Sequence, residues 1–268
     1  MITEPGFSRR STGPNSRVAL ESIAGFEFST LSLVETIGVM HAWLAVDEPG
    51  TARMFVCGNP HSLEVARRDA PFAAALRGAD LMIPDGVGIV VASKFLHGRI
   101  RETVCGPDVF VRLSRDMNDR LPGKRVFFLG GMQATIDALT AKFSLDFPNL
   151  VIAGAYSPPF RSEFTAGEDK ELVSRVNAAR PDLLWIGLGA PKQEKWAFRN
   201  RYRLSVRVIG PVGAVFDFYT GRVKLPPVFV QRLGLIWLFR FFQQPRRLWN
   251  RQVNGVKFLC RVVLGRKK

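Results

Sequence analysis

The stretch Arg125-Val126-Phe127-Phe128-Leu129-Gly130-Gly131-Met132 decides the fold of this chain. Its run 125–129, apolar from Val126 on, is too short for a helix and reads as a buried strand. Two glycines then supply a turn, and residues 132–147 carry a helical pattern that Pro148 stops. The same grammar recurs on both sides. Residues 183–186 are a strand, 187–190 a glycine turn, and Pro191 opens the next helix. Upstream, 54–57 is a strand, and Asn59-Pro60 is an N-cap and first-turn pair opening a helix over 60–76. Residues 81–83 are a strand, followed by Asp85 and a helix over 86–96 that Gly98 ends. Another helix follows Gly106-Pro107. Strands at 150–153 and 206–209 and a helix at 168–179 complete the series. Such alternation implies an α/β, Rossmann-like fold: a mostly parallel sheet with helices on both faces. Ligands of such sheets sit at the carboxyl ends of the strands, where the glycine turns are.

The chain has 268 residues, 47% of them hydrophobic, enough for one large core. Three cysteines, Cys57, Cys105 and Cys260, give neither a disulfide framework nor a CxxC pair, which points to a reducing compartment. The start lacks a secretory signal, and no uninterrupted apolar run reaches spanning length. The net charge is +15, and the stretch 218–268 holds twelve Lys or Arg and no Asp or Glu. A block of that kind seeks an anionic partner. The expected organisation is a disordered basic and polar tail over 1–26, an α/β core over 27–221, and a C-terminal appendage over 222–268. On a wheel at ~100° per residue, Trp249, Val253, Val256, Cys260 and Val263 fall in one sector and Arg247, Arg251, Lys257 and Arg261 opposite, with Phe258 the exception on the basic side. This basic amphipathic helix suits a segment lying on an anionic membrane; an ordinary helix packed on the core is the competing reading.

Four groups of residues carry candidate chemistry. Asn59 and Asp85 each stand between a strand and a helix, so capping and function both fit them. Gly130 and Gly131 lead into a helix N-terminus, a place for phosphate, although the pattern is neither GxGxxG nor a Walker loop. The segment 187–196, Gly-Leu-Gly-Ala-Pro-Lys-Gln-Glu-Lys-Trp, puts Lys192, Gln193 and Glu194 in a first turn facing the same edge. Asp217 fits a cap or a ribose contact. No DxD occurs, and the three histidines lack metal-ligand spacing, so no metal or other cofactor is expected.

Together these segments resemble the WecG/TagA/CpsF glycosyltransferases, glycosyltransferase family 26. The resemblance runs from about residue 28 to 258. Its specific pieces are Pro84-Asp85-Gly86-Val87-Gly88, Phe128-Leu129-Gly130-Gly131, the segment 187–196, and the stretches 233–240 and 244–248. It implies inverting, metal-independent transfer of a sugar from a UDP-sugar to an undecaprenyl-diphosphate-linked saccharide. The setting it implies is cell-surface polysaccharide synthesis (exopolysaccharide, capsule, teichoic acid or common antigen), at the inner face of the cytoplasmic membrane. It implies Asp85 as general base, with Asn59 beside it and Gln193 close to the reacting centre. UDP would lie over Gly130, Gly131, Gly187 and Gly189, with Tyr156 and Asp217 as further contacts. The appendage, through Arg232, Arg240, Arg246, Arg247 and Arg251, would meet the acceptor and the membrane. Homo-oligomers are compatible with it.

This chain departs from the family pattern at Thr103, at Leu225-Pro226, at Ile236 and at Cys57, where arginine, arginine, glutamate and threonine are usual. Arg101, Arg222, Lys224 and Arg232 are the candidates to compensate. A different donor, such as UDP-glucose, is the nearest alternative. A nucleic-acid-binding protein fits the pI of about 10.5 but not the strongly apolar helix face and the missing reading motifs. A nicotinamide-dependent dehydrogenase would need the absent GxGxxG.

Overall fold

The computed structural model describes residues 7–11, 17–46, 51–223 and 245–265. Its centre is a six-stranded sheet in the order β5-β4-β9-β8-β6-β7. The strands are β4 (Arg53–Gly58), β5 (Leu81–Pro84), β6 (Arg125–Gly130), β7 (Val151–Tyr156), β8 (Leu183–Gly187) and β9 (Val208–Pro211). Every neighbouring pair is parallel. The interior strands β4, β9, β8 and β6 are buried at most positions, as a sheet covered on both faces requires. Two buried clusters, one on each face, enclose it: Trp196, Phe72 and Leu184 on one side, Trp185, Phe110 and Phe128 on the other. Phe110 alone approaches Trp185, Phe128, Phe143 and Phe216 at centroid distances of 4.9–6.4 Å.

The helices among the described residues are α1 (Leu33–Ala45), α2 (Pro60–Ala66), α3 (Ala70–Arg77), α4 (Val87–Phe95), α5 (Gly106–Arg120), α6 (Gln133–Asp146), α7 (Ala166–Ala179), α8 (Lys192–Asn200), α9 (Val215–Tyr219) and α10 (Pro245–Gly265). The α/β, Rossmann-like expectation holds. The single helix expected over 60–76 is two, because Asp69 accepts from the Phe72 amide at 2.9 Å and starts α3 afresh with Pro71 in its first turn.

The expected tail over 1–26 is corrected for its described residues, 7–11 and 17–26. β1 (Phe7–Ser11), β2 (Arg17–Ile23) and β3 (Phe26–Ser29) form an antiparallel sheet, and β3 lies against β5. Val18, Leu20, Ile23, Phe26 and Phe28 are buried, so this segment belongs to the core. Glu21, fully buried, accepts from Ser93 Oγ and from the Arg99 and Ile100 amides, tying β2 to the end of α4. Three donors on Oε2 offset part of the cost of its burial, while Oε1 is buried without a hydrogen-bond partner.

The chain runs outward from β4 to β5 at one edge and from β6 to β7 at the other, then returns to lay β8 and β9 between them. The carboxyl ends of β4, β9, β8 and β6 therefore open side by side, with β5 and β7 flanking. No described helix is long and apolar enough to cross a membrane.

Candidate active site

At the carboxyl ends of β4 and β5 the two expected residues meet. Asn59 is the N-cap of α2: its Oδ1 accepts from the Ser62 amide at 3.0 Å, and its own amide donates to Ser62 Oγ at 2.8 Å. That use leaves Nδ2, which donates to Asp85 Oδ2 at 3.3 Å. Asp85 is not a cap. Gly86, at φ +94°, holds the N-cap position of α4, where a side chain would be strained, and no side chain caps that helix. The Asp85 amide donates to Gly58 O at 2.9 Å, fixing the turn across the two strands. Asp85 and Asn59 are both half-buried.

Two thiols stand beside this pair. Burial first, and then the Asp85 charge, pushes Cys57 and Cys105 well above the ordinary thiol range. Both stay protonated at neutral pH, which makes them small polar neighbours of Asp85 and poor nucleophiles. Thr103 hydrogen-bonds to Cys105 and so forms part of this corner.

A cation reaches the corner from the appendage. α10 packs on α2 and α4. Phe258 and Val262 are buried there, Asn254 Nδ2 lies 3.0 Å from His61 Nδ1, and the Arg261 guanidinium holds both oxygens of the buried Glu64 at 3.1 and 2.9 Å. Arg251 acts electrostatically on His61 and Cys57; His61 is lowered by burial first and by Arg251 second. These contacts decide which side of α10 meets the protein. The side carrying Arg251, Phe258 and Arg261 meets the core, because Phe258 needs burial and Glu64 needs a counter-charge. Trp249, Val256, Cys260 and Val263, from the apolar sector, are exposed. Arg232 and Arg240, like Leu225 and Ile236, lie outside the described residues, and for Arg246 and Arg247 only the backbone belongs to a described helix.

The ends of β6, β8 and β9 carry the glycines. A Cβ on Gly130 would stand 2.6 Å from the Gly187 backbone, and one on Gly187 2.5 Å from the Phe216 ring. These two are glycine for close packing. Gly189, at φ +80°, faces open space. The Gly131 amide donates to Gly187 O at 3.1 Å, and the Gly213 amide to Ile186 O at 3.2 Å, locking the three turns together. The helices directly after β5, β6 and β8 begin without a side-chain cap, whereas α1, α2, α3 and α7 have one. Uncapped first-turn amides at one sheet edge are donors for an anion.

The remaining expected residues fall out unequally. Tyr156 is half-buried at the end of β7 with Arg175 4.5 Å over its ring. Asp217 follows β9 and Gly213, within α9, and accepts from Thr135 Oγ1 at 3.1 Å. Gln193 is buried, its side chain engaged by Gly189 and Glu194. Glu194, noted in the sequence only as a first-turn residue, is buried as well, and burial pushes its carboxyl up to about 7. His61 and Cys105 joined the site with no local signal, because each is placed by another element. Among the described residues, no three His, Cys, Asp or Glu side chains could hold a metal ion.

A parallel sheet with glycine turns, open helix N-termini and a carboxylate at one rim is a Rossmann-like ligand site at the carboxyl ends of the strands. The model of the glycosyl transferase WecG/TagA/CpsF family matches residues 21–268, and the chain belongs to that family. It is an enzyme, a glycosyltransferase. It is similar to the N-acetylglucosaminyldiphosphoundecaprenol N-acetyl-beta-D-mannosaminyltransferase of Bacillus subtilis strain 168, with 31% identity over 76% of this chain and 77% of that one. The enzyme of the same name from Bacillus spizizenii is 30% identical over 78% and 77%. That of Staphylococcus aureus strain MW2 is 22% identical over 87% and 88%.

Proposed function

We propose that this chain moves a sugar from a UDP-sugar to a polyprenyl-diphosphate-linked saccharide by single inverting displacement, without a metal. The observation that carries this reading is the Asn59–Asp85 pair at the mouth of the sheet. Asp85 takes the proton from the acceptor hydroxyl as that oxygen attacks the anomeric carbon. Asn59, itself held by Ser62, fixes the carboxylate's direction. An aligned base is what a direct displacement needs.

The departing UDP gains negative charge, which fixed donors at the glycine turns and at the starts of α6 and α8 can stabilise without reorganising. The missing DxD supports assigning that task to amides and cations. Arg251, at the Asp85 corner, is the described appendage residue placed to meet a diphosphate on the acceptor side. The printed names of the relatives support an undecaprenyl-diphosphate-linked acceptor. The same names support an N-acetylmannosamine-type donor, with UDP-glucose as the alternative.

In this reading the enzyme is peripheral on the inner face of the cytoplasmic membrane. The exposed Trp249, Val256 and Val263 of α10 form the apolar contact, and the basic stretch attracts anionic lipid. The test is a transfer assay with a short-chain lipid-diphosphate saccharide and a panel of UDP-sugars, with and without EDTA. UDP release that needs the acceptor and survives EDTA is expected. Complete loss on chelation, restored by Mg²⁺ or Mn²⁺, would overturn the metal-free mechanism.

A further inference from the structure

Gln193 closes the turn after β8 from both sides. Its amide donates to Gly189 O at 3.0 Å, and its side-chain Oε1 accepts from the Gly189 amide at 3.1 Å. Gly189, at φ +80°, is therefore gripped on both backbone polar groups by one residue. The grip requires one orientation of the Gln193 amide, Oε1 toward Gly189 and Nε2 away. What sets that orientation is Glu194, whose Oε1 accepts from Gln193 Nε2 at 2.8 Å. Both side chains are 3% exposed, and Glu194 Oε2 is buried with no hydrogen-bond partner. A carboxyl with one orphaned oxygen, buried at the edge of a ligand cleft, is a costly feature to keep for packing alone.

We infer that Glu194 is a positioning residue: through the Gln193 amide it holds the Gly187–Pro191 turn in the shape that receives the donor diphosphate. The inference rests on the reading of that turn as part of the donor site. A protonated Glu194 no longer offers a charged acceptor to Nε2, and a proton on Oε1 would force the amide to turn over and release Gly189.

The carboxyl, raised by burial to about 7, makes this grip pH-dependent. From β4 the titratable group facing it is Cys57, which stays a thiol. β9 presents no titratable residue. At the start of α3, Asp69 is paired with Lys195 at 3.0 Å, and on α8 itself Lys192 is turned to Arg161 O at 2.7 Å. No cation among these pairs with Glu194.

The experiment uses the full chain, with UDP as probe and Gly189 amide exchange as a ligand-free readout. Glu194→Ala should speed Gly189 exchange at least tenfold and weaken UDP binding about tenfold, the loss of roughly one hydrogen bond's worth of order. Glu194→Gln keeps an acceptor for Nε2 and carries no titrating group. It should bind UDP as the unsubstituted chain does at pH 8 and more tightly than it at pH 6. Comparing the two proteins at each pH cancels the titration of UDP itself. Unchanged Gly189 exchange in both variants would overturn the clamp. Faster exchange with unchanged UDP affinity would instead overturn the placement of the donor on this turn. If Glu194→Ala fails to fold, the pH comparison with Glu194→Gln decides alone: parallel pH profiles would overturn the inference.

Discussion

Two carboxylates stand at the same edge of the sheet and are treated in opposite ways. Asp85 is half-buried, held by one side-chain amide at 3.3 Å, with a thiol corner on one side and the Arg251 guanidinium beyond. Glu194 is buried, joined to its neighbour at 2.8 Å, and shifted to about 7. An accessible carboxylate with spare capacity can exchange a proton with a substrate. A buried one with a short internal bond can only hold shape. The two glycine turns divide similarly: the Gly130–Gly187 contact has no space for a methyl group, while Gly189 faces open space under strain of φ alone.

The largest expected effect breaks the comparison at its active end. Asp85→Asn should lower turnover with saturating substrates by roughly 10²–10⁴ while leaving the melting temperature nearly unchanged. Near-normal turnover in this variant would reduce Asp85 to a structural residue. At the glycine turns, Gly130→Ala should cost about 3 kcal/mol or more, since a Cβ would meet backbone at 2.6 Å with φ at +112°. Gly189→Ala meets nothing and should cost only about 1–2 kcal/mol, so denaturant midpoints of the two variants separate packing from strain.

The buried end has its own signature in pH. The folded Glu194 binds its proton more tightly than the unfolded chain, about 7 against an ordinary 4.5. Between those values the native state holds the extra proton, so stability falls as pH rises from about 4.5 to about 7 and is level above that. The contribution is on the order of 3 kcal/mol, and Glu194→Gln should flatten that part of a stability-against-pH curve. An unaltered slope in the variant would assign the titration elsewhere.

The smallest effect concerns α10. Trp249→Glu should weaken binding to anionic vesicles several-fold without altering UDP binding, because Trp249 is exposed and on the side of the helix away from Phe258 and Arg261. Arg261→Ala should instead loosen α10 from α2, leaving Glu64 buried without its counter-charge. Equal vesicle binding by Trp249→Glu and the unsubstituted chain would mean that this face serves something other than lipid.

The sequence by itself determined every strand of the parallel sheet to within three residues at either end. Its apolar runs, glycine turns and prolines are local signals, and the covered parallel sheet they imply is the one observed. It also brought Asn59 and Asp85 forward together, and the resemblance to the family pointed the same way. Residues 17–26 were lost to it, because a polar, glycine- and proline-bearing start looks disordered until Phe26 and Phe28 find β5 and the core. The break at Asp69 was lost because one apolar period runs across both α2 and α3. Only the tertiary structure decided which side of α10 meets the protein. A helical wheel separates the two faces but does not choose between them; Glu64, nearly two hundred residues earlier, makes the choice by requiring Arg261. The same holds for Asp85 and Glu194. Their residue types are equivalent acids in the sequence, and they differ because burial, and with it the free energy of holding a charge, is a property of the packed fold.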